Sequence, residues 1–167
     1  MSRTFLTADL HIGHANTPRF RPFHSSAEHD SIIINTILET VKKRDTLWIL
    51  GDGFFTLDSM VALKLLCQNI GQIKFILGNH DLSLYQWLHN WEFSNLYVAG
   101  VGEKWDSWLT HIPVHPSELE DRKRYNIHGH LHEQRLIDSR YFCVSLEQNR
   151  YKPFLLDDVL ERLHDSN

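Results

Sequence analysis

Five short clusters carry side chains able to ligate a metal ion. They are Asp9-Leu10-His11, Gly51-Asp52, Gly78-Asn79-His80-Asp81, Thr110-His111-Ile112-Pro113 and Gly129-His130-Leu131-His132. None has zinc-finger spacing or belongs to a disulfide framework. Together they offer imidazole nitrogens, two carboxylates and a neutral amide oxygen. That mixture suits a pair of adjacent divalent ions, because a carboxylate has two oxygens with which to bridge them. Such a pair can neutralise a phosphoryl group and activate a water against it. A lone Asp is more often a turn or cap residue, as is an Asn beside glycine. The conjunction reverses that balance, since the clusters follow one another at the ends of apolar runs.

Those runs are the elements that must position the clusters. Residues 4–8, 46–50 and 73–77 predict buried strands, the last two closed by glycine. Between them, Ser25-Ser26-Ala27-Glu28 reads as a capping box opening a helix through Val41. A second helix is expected from about Leu57 to Gln68, closed near Gly71. Strand–helix alternation predicts parallel strands that present side chains at their carboxyl ends. Downstream, residues 96–99, 105–110, 125–128 and 141–146 predict strands without a long helix between them, hence a more antiparallel second sheet. A short final helix is expected near 157–163. The expected class is α/β: two facing mixed sheets flanked by helices, in one domain over residues 1–167.

The order and spacing of the five clusters resemble the calcineurin-like metallophosphoesterases, and the likeness runs through nearly the whole chain. His11-Ile12-Gly13-His14-Ala15-Asn16 with Arg21-Pro22-Phe23, and the tail from Val144 to Pro153, are similar to a small bacterial and phage branch. The resemblance implies an α/β/β/α sandwich with metals at one edge. It implies that Asp9, His11 and His132 hold one divalent ion, that Asn79, His111 and His130 hold the other, and that Asp52 bridges them. Manganese is the first expectation, with iron, zinc, nickel or cobalt as alternatives. His80, next to a ligand, is the candidate general acid, since imidazole titrates in the useful range. Asp81 would orient His80 or hold it protonated, or else serve as a turn residue. His111 fits the family's His-x-Pro form better than His115 does. His128 is expected behind the ligands. After Asp52 the relatives commonly carry a larger residue than Gly53. The implied activity is hydrolysis of phosphate mono- or diesters by in-line attack of a metal-bridging hydroxide. The alternatives are a nuclease or cyclic-nucleotide phosphodiesterase of the same fold, or a scaffold that has lost catalysis. The scaffold reading is weakened because every ligand and His80 remain.

Residues 12–24 are long for a strand–helix connection, and such loops are often functional. His14 and Arg21 are expected to line the cleft, Arg19 less so. His24, His29, His89 and His164 are expected at the surface, and the tryptophans in the core. Cys67 and Cys143 sit in apolar stretches and suit a reducing compartment. With no secretory signal read at the N-terminus, the expected location is cytoplasmic. Net charge is −4 and no basic run is long, which argues against a dedicated binder of long nucleic acid. A small phosphate ester, nucleotides included, remains the expected partner. No apolar run approaches the roughly 20 residues of a membrane span.

Overall fold

The period-2 pattern of the strand Thr46–Leu50 sets the layering. Leu47 and Ile49 face one apolar cluster, while Trp48 and Leu50 face another. A computed structural model of the chain describes residues 1–89, 93–120 and 122–165. In chain order its elements are β1 (Thr4–Thr7), α1 (Ser26–Thr40), β2 (Thr46–Leu50), α2 (Met60–Asn69), β3 (Gln72–Ile76), α3 (Tyr85–His89) and β4 (Leu96–Ala99). Then follow β5 (Gly102–Lys104), β6 (Ser107–Thr110), β7 (Tyr125–His128), β8 (Tyr141–Cys143), β9 (Phe154–Leu155) and α4 (Leu156–Asp165). The side chain of His89 and all of Trp91 lie outside the described residues.

The first sheet has the order β4-β3-β2-β1-β9, with only β9 antiparallel. The second has the order β5-β6-β7-β8. Helices α1 and α2 cover the first sheet through Ile33, Ile37, Leu63 and Leu66, all fully buried against Leu47, Ile49, Ile73 and Phe75. Leu6, Leu50 and Ile76 on the opposite face join Leu109, Tyr125 and Ile127 of the second sheet in a second core. Helix α4 adds Val159 and Leu163 to it and packs on β1, β8 and β9. Truncating one of these buried leucines to Ala would cost about 2–5 kcal/mol. The expected cap at α1 forms in a shifted version: the Ser25 hydroxyl accepts from the Glu28 amide at 3.1 Å, and the Glu28 carboxylate reaches one residue further back, accepting from the His24 amide at 2.6 Å.

The α/β class with two mixed, helix-flanked sheets is the one expected, but the second sheet departs in detail. Only β5–β6 is antiparallel; β6–β7 and β7–β8 are parallel. The β6–β7 crossover contains no α-helix, which is why its direction was hidden. It runs through a 3₁₀ turn at Pro116–Leu119 and is pinned by the buried amide of Asn126. That side chain accepts from the Val114 amide at 2.9 Å and donates to Trp108 O and Thr110 Oγ1, both at 3.0 Å. The run 105–110 is broken as well, because Trp105 and Asp106 adopt left-handed φ values of 53° and 54° and turn β5 into β6. No sequence signal announces the tail strand β9, because two residues leave no alternation to read.

Candidate metal centre

Parallel order in both sheets brings the five clusters to one edge. Asp9 and His11 follow β1, Asp52 follows β2, Asn79 follows β3, His111 follows β6, and His130 and His132 follow β7. Antiparallel β6 and β7 would have sent His111 and His130 to opposite ends. Backbone bonds continue past the strands: Asp9 N–H donates to Gly51 O, His11 N–H to Asp52 O and Gly129 N–H to His111 O, each at 3.0 Å.

Asp9, His11, Asp52, His130 and His132 all hold φ between 51° and 68°. Asp and His tolerate this region better than most residues, yet it costs on the order of 1–2 kcal/mol each. The surrounding backbone bonds sustain the strain and turn successive side chains inward. Gly51, at φ 84°, precedes Asp52, and a Cβ there would run into the His111 ring. At Gly53 a Cβ would approach the Phe75 ring to 2.9 Å, which explains why this chain carries glycine there.

Two overlapping groups emerge, Asp9 with His11 and His132, and Asp9 with Asp52 and His111. Within each, one donor atom per residue lies within 4.8 Å of the others. The His11 and His132 Nε2 atoms stand 3.8 and 3.9 Å from Asp9 Oδ1, and His111 Nε2 stands 3.2 Å from Asp52 Oδ2. His130 Nδ1 joins at 3.3 Å from His111 Nε2. Asp9 Oδ1 and both His11 ring nitrogens are buried without a hydrogen-bond partner. Unpartnered buried polar atoms are costly, and a cation among them would satisfy several at once. The donor set therefore fits divalent metal. His111 Nδ1 and His132 Nδ1 are each engaged, by Leu50 O and Glu147 Oε1, both at 2.9 Å, which leaves Nε2 as the free donor of each ring. Asn79 is exposed in the turn beside His80.

The electrostatics agree. Burial disfavours the Asp9 carboxylate, but His11, His111, His132 and Ser145 outweigh it and hold its carboxyl at about 2. Burial drives His128 down to about 4, so the ring behind the ligands is neutral. Glu147 raises His132, and Asp52 raises His111 against the effect of burial.

The rest of the expected site is sorted by contact. His80 is half exposed, its Nε2 3.9 Å from Asp52 Oδ2, and its ring stacks on Phe55 with centroids 4.8 Å apart. Asp81 turns to the backbone instead of to that ring's nitrogens. Its fully buried carboxylate accepts from the amides of Asp52, Gly78 and Gly53 at 2.6, 2.8 and 3.0 Å and, more weakly, of Phe54 at 3.4 Å. Burial lifts its carboxyl to about 6 against the pull of the Gly78 amide. It holds the turn that presents Asp52. Arg21 does not line the cleft. Its guanidinium has no solvent exposure and is spent on Glu147, on His29, and on the carbonyls of Asp9 and Leu10. His29, expected at the surface, is fully buried because it partners Arg21 and Asp30. His24, His115 and His164 are exposed. Trp48 is buried and Trp105 packs edge-on against it at 5.7 Å, but Trp87 is exposed. His14 does line a cleft of about 670 Å³, with His11, Phe20, His132, Glu133 and Gln134. Sequence reasoning gave no role to Phe55, Ser145 or Glu147; the tail 144–153 carries a resemblance, but a buried acid within it gives no spacing signal.

Comparison with known proteins bears on the family and the fold. The sequence profile of calcineurin-like phosphoesterases matches residues 2–165. The gene 66 protein of Mycobacterium phage L5 is 31% identical over 82% of this chain and 81% of its own length. An uncharacterized protein of Methanocaldococcus jannaschii is 26% identical over 96% and 91%. A crystal structure of a protein of unknown function from Aquifex aeolicus superposes with a TM-score of 0.74, covering 96% of this chain and 99% of that one at 22% identity, which bears on the fold alone. With the motifs, the fold and the profile in agreement, the chain belongs to the calcineurin-like phosphoesterase family, hydrolases of phosphate esters that typically use divalent metal ions.

Proposed function

We propose that this chain is a dinuclear metal-dependent phosphoesterase that cleaves small phosphate mono- or diesters. The carrying observation is the set of unpartnered buried donors, Asp9 Oδ1 and the His11 nitrogens, facing His132, with Asp52 and His111 alongside. Asp9, His11 and His132 would hold one ion, and Asn79, His111 and His130 the other, with Asp52 between them. When bound, two divalent ions supply charge neutralisation for the phosphoryl oxygens and a water acidic enough to ionise near neutral pH. Manganese suits the mixed imidazole, carboxylate and amide donors.

His80 is the general acid. Its ring stands at the solvent edge of the site, where it can deliver a proton from Nε2 to the departing ester oxygen and recover one from water. The stack on Phe55 sets the ring plane, and the His80 amide, donating to Asp52 Oδ1 at 3.0 Å, fixes where the residue starts. The cleft beside His11 and His132 has room for an organic group of nucleoside size, with Phe20 as an apolar wall and Gln134 as a polar one. Two buried free thiols suit a reducing compartment such as the cytoplasm. Among the described residues no helix is long and apolar enough to cross a membrane.

The test is metal analysis and a substrate panel on the EDTA-stripped, Mn²⁺-reloaded protein: aryl mono- and diesters, cyclic nucleotides and short oligonucleotides. Two ions per chain, and hydrolysis abolished by EDTA and restored by metal rather than reductant, are expected. Failure to bind two ions, or hydrolysis that survives chelation, would sink the reading.

A further inference from the structure

Glu147 lies in the 3₁₀ turn Leu146–Asn149 that follows β8, and its side chain is 5% exposed. One oxygen, Oε1, receives three donors: His132 Nδ1 at 2.9 Å, Arg21 Nε at 2.9 Å and Arg21 Nη2 at 2.7 Å. Arg21 in turn donates to Asp9 O at 2.7 Å and Leu10 O at 3.2 Å, and meets His29 Nε2 at 2.8 Å. His29 Nδ1 then meets Asp30, whose other oxygen accepts from the Gly13 amide at 2.9 Å. The neighbours of Glu147 grip the same side of the site. Ser145 donates its hydroxyl to Asp9 Oδ2 at 2.6 Å, and the Gln148 side chain donates through Nε2 to His132 O at 2.5 Å.

From this geometry we propose that Glu147 is a positioning residue for one metal ion: it fixes the tautomer and direction of His132 and, through Arg21, ties that ring to the backbone presenting Asp9 and His11. The inference rests on the dinuclear reading above. A carboxylate can only accept, so the His132 proton is confined to Nδ1 and the Nε2 lone pair faces Asp9 Oδ1. An amide in its place can turn its NH₂ toward Nδ1, which puts the proton on Nε2 and removes the ligand pair. The rival account is that Glu147 merely neutralises the buried Arg21, whose charge would otherwise be uncompensated.

The experiment titrates metal-stripped wild type, Glu147→Gln and the double variant Arg21→Gln, Glu147→Gln with Mn²⁺ by calorimetry and with Co²⁺ by absorption. Melting temperatures in EDTA are measured alongside. Positioning predicts that Glu147→Gln binds one ion about 10–100-fold more weakly while the other holds within about threefold. The double variant, which carries no unpaired buried charge, should keep that one-ion defect. Wild-type affinity for both ions in the double variant, with a low EDTA melting temperature confined to the single variant, overturns positioning and leaves charge neutralisation. Should the single variant not fold, the double variant decides alone. Wild-type protein binding fewer than two ions overturns the dinuclear reading, and with it this one. A two-ion wild type with an unaltered Glu147→Gln variant overturns only the role of Glu147.

Discussion

Around His132 the groups that orient a donor are charged side chains from distant parts of the chain, Glu147 and Arg21. Around His111 and Asp52 they are chiefly backbone atoms. Leu50 O accepts from the His111 ring, the His80 amide donates to Asp52 Oδ1, and neighbouring amides converge on Asp81. Backbone atoms arrive with the strands, so the second half is built as soon as the sheets pair. The first half depends on a buried charge balance that a single substitution can upset without altering the sheets.

The most severe way to break this comparison is at Asp52, which the proposed function sets between the two ions. Asp52→Asn removes the bridging charge and is expected to leave less than about 10⁻³ of kcat/KM, with occupancy of both ions reduced. Metal analysis showing two retained ions at a near-normal rate would remove Asp52 from the bridging position. His111→Ala should weaken chiefly one ion, and His11→Ala chiefly the other.

His80 belongs to neither set of donors, so its loss should spare both ions. His80→Asn is expected to lose about 10²–10⁴-fold in kcat on an alkyl or nucleoside ester, and less on a nitrophenyl ester whose leaving group departs unprotonated. Equal losses on the two leaving groups would assign His80 to phosphoryl charge instead, and a lost metal would make it a ligand.

Asp81→Asn probes the backbone-built half. The amide keeps one acceptor oxygen where the carboxylate had two, leaving buried N–H groups short of partners at about 1–3 kcal/mol. A melting temperature lower by roughly 3–10 °C in EDTA is expected, whereas Glu147→Gln should show its main effect only with metal present. An unchanged melting temperature would deny Asp81 its hold on the Asp52 turn.

Titration sharpens the contrast further. His132 and His111 are both raised above the ordinary histidine value, the first by Glu147, the second by Asp52 despite burial. A raised histidine stabilises the metal-free fold at pH values below its unfolded pKa, and that contribution fades as pH rises through the folded value. As pH rises above about 6.5 the metal-free protein should therefore lose stability modestly, while metal affinity rises because fewer protons must be displaced. Calorimetry in buffers of different ionisation heat should register proton release; parallel slopes for stability and affinity would contradict the assignment.

The smallest effect is expected at the thiols. Burial raises Cys67 to about 11 and pushes Cys143 up as well, so both should resist a thiol reagent at pH 8 until the chain is denatured. A Cys67→Ala, Cys143→Ala variant should hydrolyse esters at close to the wild-type rate. Loss of activity in a folded double variant would bring a cysteine into the chemistry.

Much of this is legible in the sequence alone. Alternating and continuous apolar runs announce β1, β2 and β3, the Ser25–Glu28 box announces α1, and the glycines at 51, 78 and 129 mark where strands give way to donor-bearing turns. These are local signals, set by side-chain size, branching and backbone freedom within a few residues. Direction in the second sheet is not local. His111 and His130 share an edge because β6 and β7 run parallel, joined by a crossover without a helix and held by Asn126. The fates of Arg21, His29 and Glu147 were equally out of reach. A charged side chain in a loop or tail carries the same letter whether it meets solvent or a partner 126 positions away, as Arg21 and Glu147 do. The sequence by itself determined which donor types exist and in what order they follow the strands. Only the tertiary structure decided which of them face one another and which are buried to hold the others still, because burial and long-range pairing depend on packing rather than on neighbours in the chain.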